Sequence, residues 1–216
     1  MSLGVSQGGL PPDDCTQSEE EILRDGERLI KEYHDPGPYS MLRIGLAPCA
    51  PFSVSPQAMK QTAAQAKRWG VRMHTHLCET TDEQEYCLKR YKLRPVDFLE
   101  SMGWLADNVW LAHMVHVDDA EISRLAAAHV GIAHCPSSNL RLGSGTPPVR
   151  RYLDAGVAVG LAVDGSASND TSDMLAEARQ AMLVHRVKSG VGSMSARAAL
   201  RMATRAGAAV LGRDDI

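Results

Sequence analysis

Residues 71–79 read VRMHTHLCE. Gly70 restarts the chain, a short apolar run carries two histidines, and Glu79 follows just past its end. A charged, helix-forming stretch then continues through about Tyr91. A short apolar run that ends in polar residues and gives way to a helix is one unit of an α/β fold. Side chains alternate along a strand, so His74 and His76 share a face and Thr75 opposes them. A histidine alone in a strand is ordinarily a satisfied core residue. Here the carboxylate of Glu79 so close behind makes His76 a candidate for chemistry and leaves His74, one layer deeper, as a structural neighbour.

The same unit recurs along the chain. RIGLAPC (43–49) is a first run; Ser55 then reads as an N-cap and Pro56 as a first helical position, with Gly70 as the stop. NVWLAHMV (108–115) is followed by DDAEISRLAAAHV, capped by Asp118 and ending at Gly131. GIAHCP (131–136) is the fourth run, with Ser137, Ser138 and Asn139 read as a loop. Pro147 and Pro148 start a helix that stops at Gly156. VAVGLAVDG (157–165) is the fifth run, and a helix from about Ser172 to Lys188 follows. Five such runs alternating with helices predict a parallel sheet with right-handed crossovers, and near-continuous apolar runs suit strands buried on both faces.

An open sheet and a closed barrel both fit this rhythm. The polar residues of interest separate them, because they end four of the runs: His76 and Glu79, His113, His134, Asp164. In a barrel the carboxyl ends of the strands converge on one pocket. The expectation is therefore a partial (β/α)8 TIM-type barrel, about strands 4 to 8 with their helices, occupying residues 1–216 as one incomplete domain. Ahead of these units stand a Gly/Pro-rich loop (1–13) and one helix from Ser18 to about His34, with a capping box at Ser18 and Glu21. Beyond Lys188 only helices are expected.

The totals exclude several classes. A net charge of -3 gives no basic field for nucleic acid. No apolar run reaches about 18 residues, so no membrane span is expected. The opening MSLGVSQGGLPPDD has neither region of a signal peptide, and five scattered cysteines form no C-x-x-C pair. A cytoplasmic, reducing location is expected.

An Asp closing a long apolar strand, as Asp164 does in VGLAVDG, is expensive to bury unless paired, hydrogen-bonded or metal-bound. Taken singly, Asp164, His113 and His134 each have an ordinary structural reading. At successive strand ends they suggest a zinc-type site with an acid and a base beside it.

HTHLCET, LAHMVH, AHCPSSNLRLGSGTPPVRRYLDAG and VGLAVDGSASND together resemble the amidohydrolase superfamily, in the branch of nucleobase, nucleoside and s-triazine amino- and chlorohydrolases. SLGVSQGGLPPD and APCAPFSVS are more particularly similar to 8-oxoguanine deaminases. The resemblance implies one divalent metal, zinc being the expected ion. His76 and Asp164 are its ligands, Glu79 is the acid that protonates a ring nitrogen, and His113 orients the attacking water. Asp164 also takes part in proton transfer. Cys49, Gln7 and His134 are the implied substrate-binding residues, Cys49 standing where many relatives carry His. A small-molecule nucleobase or triazine is the implied partner, and a homo-oligomer the expected assembly.

The family's first-strand His-x-His, which supplies two further ligands, has no counterpart ahead of His34. The expectation is a chain that begins at the end of a third strand, ends before the family's small β domain, and is inactive by itself. The readings left open are 8-oxoguanine deamination to urate and ammonia, alkylamine release from a hydroxy-s-triazine, and a noncatalytic binding module.

Overall fold

The computed structural model describes residues 16–216. Five parallel strands form one sheet: β1 (Gly45–Leu46), β2 (Arg72–Leu77), β3 (Val109–His113), β4 (Gly131–His134) and β5 (Val159–Leu161). Their spatial order is β1-β2-β3-β4-β5, each strand beside its sequence neighbours. A doubly wound sheet reverses its strand order at a switch point, whereas a barrel wall does not. The sequential order is that of a barrel segment, as the strand ends led us to expect.

The connections are helical: α1 (Glu19–Tyr33) leads in, α2 (Pro56–Trp69) joins β1 to β2, and α3 (Thr81–Tyr91) and α4 (Pro95–Ser101) join β2 to β3. After β3 comes α5 (Asp119–Ala127), and after β4 come α6 (Pro136–Leu142) and α7 (Val149–Asp154). Beyond β5 lie α8 (Ser166–Asn169), α9 (Met174–Ser189), α10 (Ala196–Met202) and α11 (Arg205–Val210). The expected caps are present: Ser18 and Glu21 form a capping box, as do Asp118 and Glu121, and Ser55 caps α2 at Ala58. Two helices were not expected, α6 over the predicted loop and the single-turn α8. Among the described residues no helix is long and apolar enough to cross a membrane.

Register divides the sheet into two faces. Arg72, His74 and His76 of β2 lie level with Gly45, Trp110 and Ala112 of the neighbouring strands, and Trp110 and Ala112 level with Gly131 and Ala133. The opposite face carries Met73, Leu77, Val109, Leu111, Ile132, Val159 and Leu161, all in the apolar core with the crossover helices. α11 crosses the first face. A Cβ at Gly160 would stand 2.8 Å from the Cα of Gly207, so helix and strand meet here only as glycines.

Candidate metal and active site

Three side chains from three strand ends converge on the first face. Donor atoms of His76, His113 and Asp164 all lie within 4.8 Å of one another. His76 Nε2 is 3.6 Å from Asp164 Oδ1, and His113 Nε2 is 3.8 Å from Asp164 Oδ2. Glu79 joins them, its Oε2 3.6 Å from His113 Nε2.

Each arrives by a specific local device. His76 follows plain alternation along β2, and its ring is turned by the Cys49 carbonyl, which accepts from Nδ1 at 2.7 Å and from the His76 amide at 2.9 Å. With Nδ1 so engaged, Nε2 faces the cluster. His113 is different. It pairs with Leu77, so alternation assigns it to the helix-packed face. Left-handed backbone at His113 (φ 69°) and Met114 (φ 51°) breaks that alternation, and the ring lies 5.2 Å from that of His76. Asn139 of α6 tethers it through a 2.8 Å bond to Nδ1. Cys78 (φ 53°) and Asp164 (φ 64°) are also left-handed, one just before Glu79 and the other in the cluster itself. Non-glycine residues in this region store strain that surrounding contacts must hold, and such residues gather at functional sites.

Those contacts are visible. Ser138 Oγ donates to Asp164 Oδ2 at 2.6 Å, and Ser168 Oγ approaches the same oxygen at 3.2 Å. Ser144 Oγ reaches Glu79 Oε1 at 3.4 Å. Behind Glu79, the buried Glu83 carboxylate accepts the Glu79 amide at 2.8 Å; burial pushes Glu83 up to about 7. None of Asn139, Ser138, Ser144 or Glu83 was singled out from the sequence. The signal for the first two was the PSSN run just after His134, read there as a loop.

Burial opposes charge on His76, yet the Asp164 carboxylate and the Cys49 contacts overcome it and push His76 up to about 10. Burial also opposes ionisation of Asp164, but His76 and Ser138 hold its carboxyl well below the usual carboxylate range. Burial lowers His113, with Glu79 pulling the other way. His74, deeper on the same face, is brought down to about 4 by burial; it stacks 4.9 Å from Trp110 and bonds the Trp110 carbonyl through Nδ1 at 3.1 Å.

The donor set suits a divalent cation. Two imidazoles whose Nδ1 atoms are engaged elsewhere and one carboxylate whose orientation is fixed by hydroxyls form a nitrogen and oxygen set of the kind that holds zinc.

The remaining predicted residues fall elsewhere. Cys49 is half-buried with Sγ 3.8 Å from His76 Nδ1, so it lies at the site's edge. His134 is not brought to the cluster. It has no left-handed turn, stays on the side of Ile132, and its buried Nε2 meets His185 Nε2 of α9 at 3.2 Å. Gln7 lies outside the described residues.

The profile of the amidohydrolase family matches residues 2–216. The chain belongs to this family. It is similar to an 8-oxoguanine deaminase of Pseudomonas aeruginosa, 52% identical over 216 residues, which are 100% of this chain and 48% of that enzyme. A hydroxydechloroatrazine ethylaminohydrolase of Pseudomonas sp. (strain ADP) is 36% identical over 219 residues, covering 100% of this chain and 45% of that enzyme. Among solved structures, the zinc complex of an atrazine chlorohydrolase from Arthrobacter aurescens TC1 superposes with a TM-score of 0.93 at 39% identity, over 100% of this chain and 48% of that one. The amidohydrolase chain thus spans about half the length of the curated relatives it matches.

Proposed function

We propose that the whole protein is a zinc-dependent aminohydrolase that converts 8-oxoguanine to urate and ammonia. The observation that carries this reading is the gathering of His76, His113 and Asp164 within 4.8 Å, with the Glu79 carboxylate 3.6 Å from His113. The likeness to the deaminase of Pseudomonas aeruginosa at 52% identity supports the substrate, and the zinc complex of the chlorohydrolase supports the metal.

His76 and Asp164 would hold the ion, whose Lewis acidity makes water nucleophilic near neutral pH. The chain's own groups do the rest. Asp164 and His113 orient the attacking water and take its proton. Glu79 delivers a proton to the ring nitrogen next to the carbon that bears the amino group. Ser138 and Asn139 hold Asp164 and His113 in the geometry this requires. Water adds to the ring carbon, the proton taken from it passes to the amino group, the carbon–nitrogen bond breaks, and ammonia leaves. Cys49, at the edge of the site, lines the base pocket.

A second reading, release of an alkylamine from a hydroxy-s-triazine, is favoured by the ethylaminohydrolase relative. Parallel assays of ammonia from 8-oxoguanine and of ethylamine from an ethylamino-hydroxytriazine separate the two. Ammonia alone supports the first; ethylamine alone replaces it with the second.

A further inference from the structure

Glu177 lies in α9, behind the site, and touches none of the four residues assigned to the chemistry. It is 1% exposed. Its two carboxylate oxygens are both engaged, by neutral donors from two different segments, the start of α6 and the end of α8. Oε2 accepts the Ser137 amide at 3.0 Å, and Oε1 accepts Asn169 Nδ2 at 2.8 Å. Asn169 passes the connection on: the same Nδ2 donates to the Val163 carbonyl at 2.7 Å, and its Oδ1 accepts the Ser172 amide at 3.1 Å. A buried carboxylate needs its oxygens hydrogen-bonded, and here each of them is.

Ser138 lies in the first of these segments, α6, and Asp164 in the β5–α8 connection that leads into the second. Ser137 precedes Ser138, whose hydroxyl donates to Asp164 Oδ2 at 2.6 Å, and Val163 precedes Asp164 in its left-handed conformation. A single carboxylate therefore ties the backbone on both sides of the Ser138–Asp164 contact. A glutamine offers only one acceptor here and turns an N–H group toward a donor, so the double clamp is specific to a carboxylate.

We propose that Glu177 is a positioning residue. Through Ser137 and Asn169 it locks the start of α6 to the β5–α8 connection, fixing the direction in which Asp164 faces His76 and His113. This rests on the reading of Asp164 as a metal ligand. Outer partners of ligands commonly change metal affinity about 10- to 100-fold when removed.

The test uses the whole protein, with Co²⁺ as the spectroscopic probe and amide exchange as a metal-independent readout. Glu177→Ala should weaken Co²⁺ binding about 10- to 100-fold and alter its visible bands. It should also speed amide exchange over residues 163–169. Glu177→Gln, the milder change, should fall between that variant and the natural protein. Ala181→Gly, which weakens α9 without touching the clamp, should leave Co²⁺ affinity and spectrum as they were. Unchanged exchange over 163–169 in Glu177→Ala overturns the proposal. So does faster exchange with Co²⁺ affinity and spectrum intact, which would make the clamp structural only. If the natural protein binds no Co²⁺, the metal reading itself fails, and exchange over 163–169 alone decides whether Glu177 fixes the Asp164 loop.

Discussion

His113 faces His76 across neighbouring strands, ring centres 5.2 Å apart, although strand pairing sets His113 opposite Leu77 on the other side of the sheet. The left-handed backbone at His113 and Met114 makes this possible, and the Asn139 bond to Nδ1 holds it. Asn139→Ala removes the tether and should lower kcat about 10- to 100-fold, as loss of a partner behind a catalytic imidazole commonly does. Steady-state kinetics check this. Unchanged kcat would mean that the backbone turn alone fixes the ring.

Glu79 is assigned the proton delivered to the substrate ring. Glu79→Gln keeps the shape of the side chain but has no proton to give. Its kcat should fall about 10²- to 10⁴-fold. Bound zinc, measured by elemental analysis, should stay at the level of the natural protein, because Glu79 is not among the proposed ligands. Loss of the metal with the activity would reassign Glu79 as a ligand.

The close approach of α11 to the sheet predicts a stability effect far from the chemistry. A Cβ at Gly160 meets the Gly207 backbone at 2.8 Å and has no flexible side chain to push aside. Gly160→Ala should destabilise the fold by about 1–3 kcal/mol, as overpacking in a close-packed interior does. Denaturant midpoints measure it. A neutral result would show that α11 is free to shift.

The buried pair His134 and His185 sets an acid limit. Burial brings His185 from 6.5 down to about 4 and holds His134 well below its ordinary value. A group whose pKa is depressed by folding contributes its full share above pH 6.5. That share is lost as pH falls toward about 4, because the unfolded chain takes up the proton first. Glu83, raised to about 7, shifts stability the other way over part of this range, so the comparison needed is between variant and natural protein. His185→Gln should lose less stability between pH 6.5 and 4, by up to about 1.4 kcal/mol per pH unit. Equal slopes would remove His185 as the cause.

The strand count, the barrel order and the helix caps were legible because they rest on local pattern: apolar runs, Ser or Asp caps, Pro starts and Gly stops. His76, Glu79 and Asp164 were legible as the polar ends of those runs. His134 shows where such reading stops. It and His113 both end apolar strands, and alternation sends both toward the helices. Only the left-handed turn at His113, absent at His134, separates a member of the His76–Asp164 cluster from a buried partner of His185. That turn is a backbone conformation with no sequence signature in a non-glycine residue. Ser138 and Asn139 were hidden for another reason: each meets a partner 26 residues away, and Glu177 joins Ser137, 40 residues off, to Asn169, 8 residues off, so no local window contains the whole connection.

The central claim is metal-dependent deamination by a site built on His76, Asp164, His113 and Glu79. The most direct measurement is ammonia released from 8-oxoguanine by the whole protein as isolated, after chelation, and after zinc is restored. The account predicts release, its loss with the metal, and its return with zinc. Release that survives complete removal of metal, or no release from a zinc-loaded protein, would contradict it.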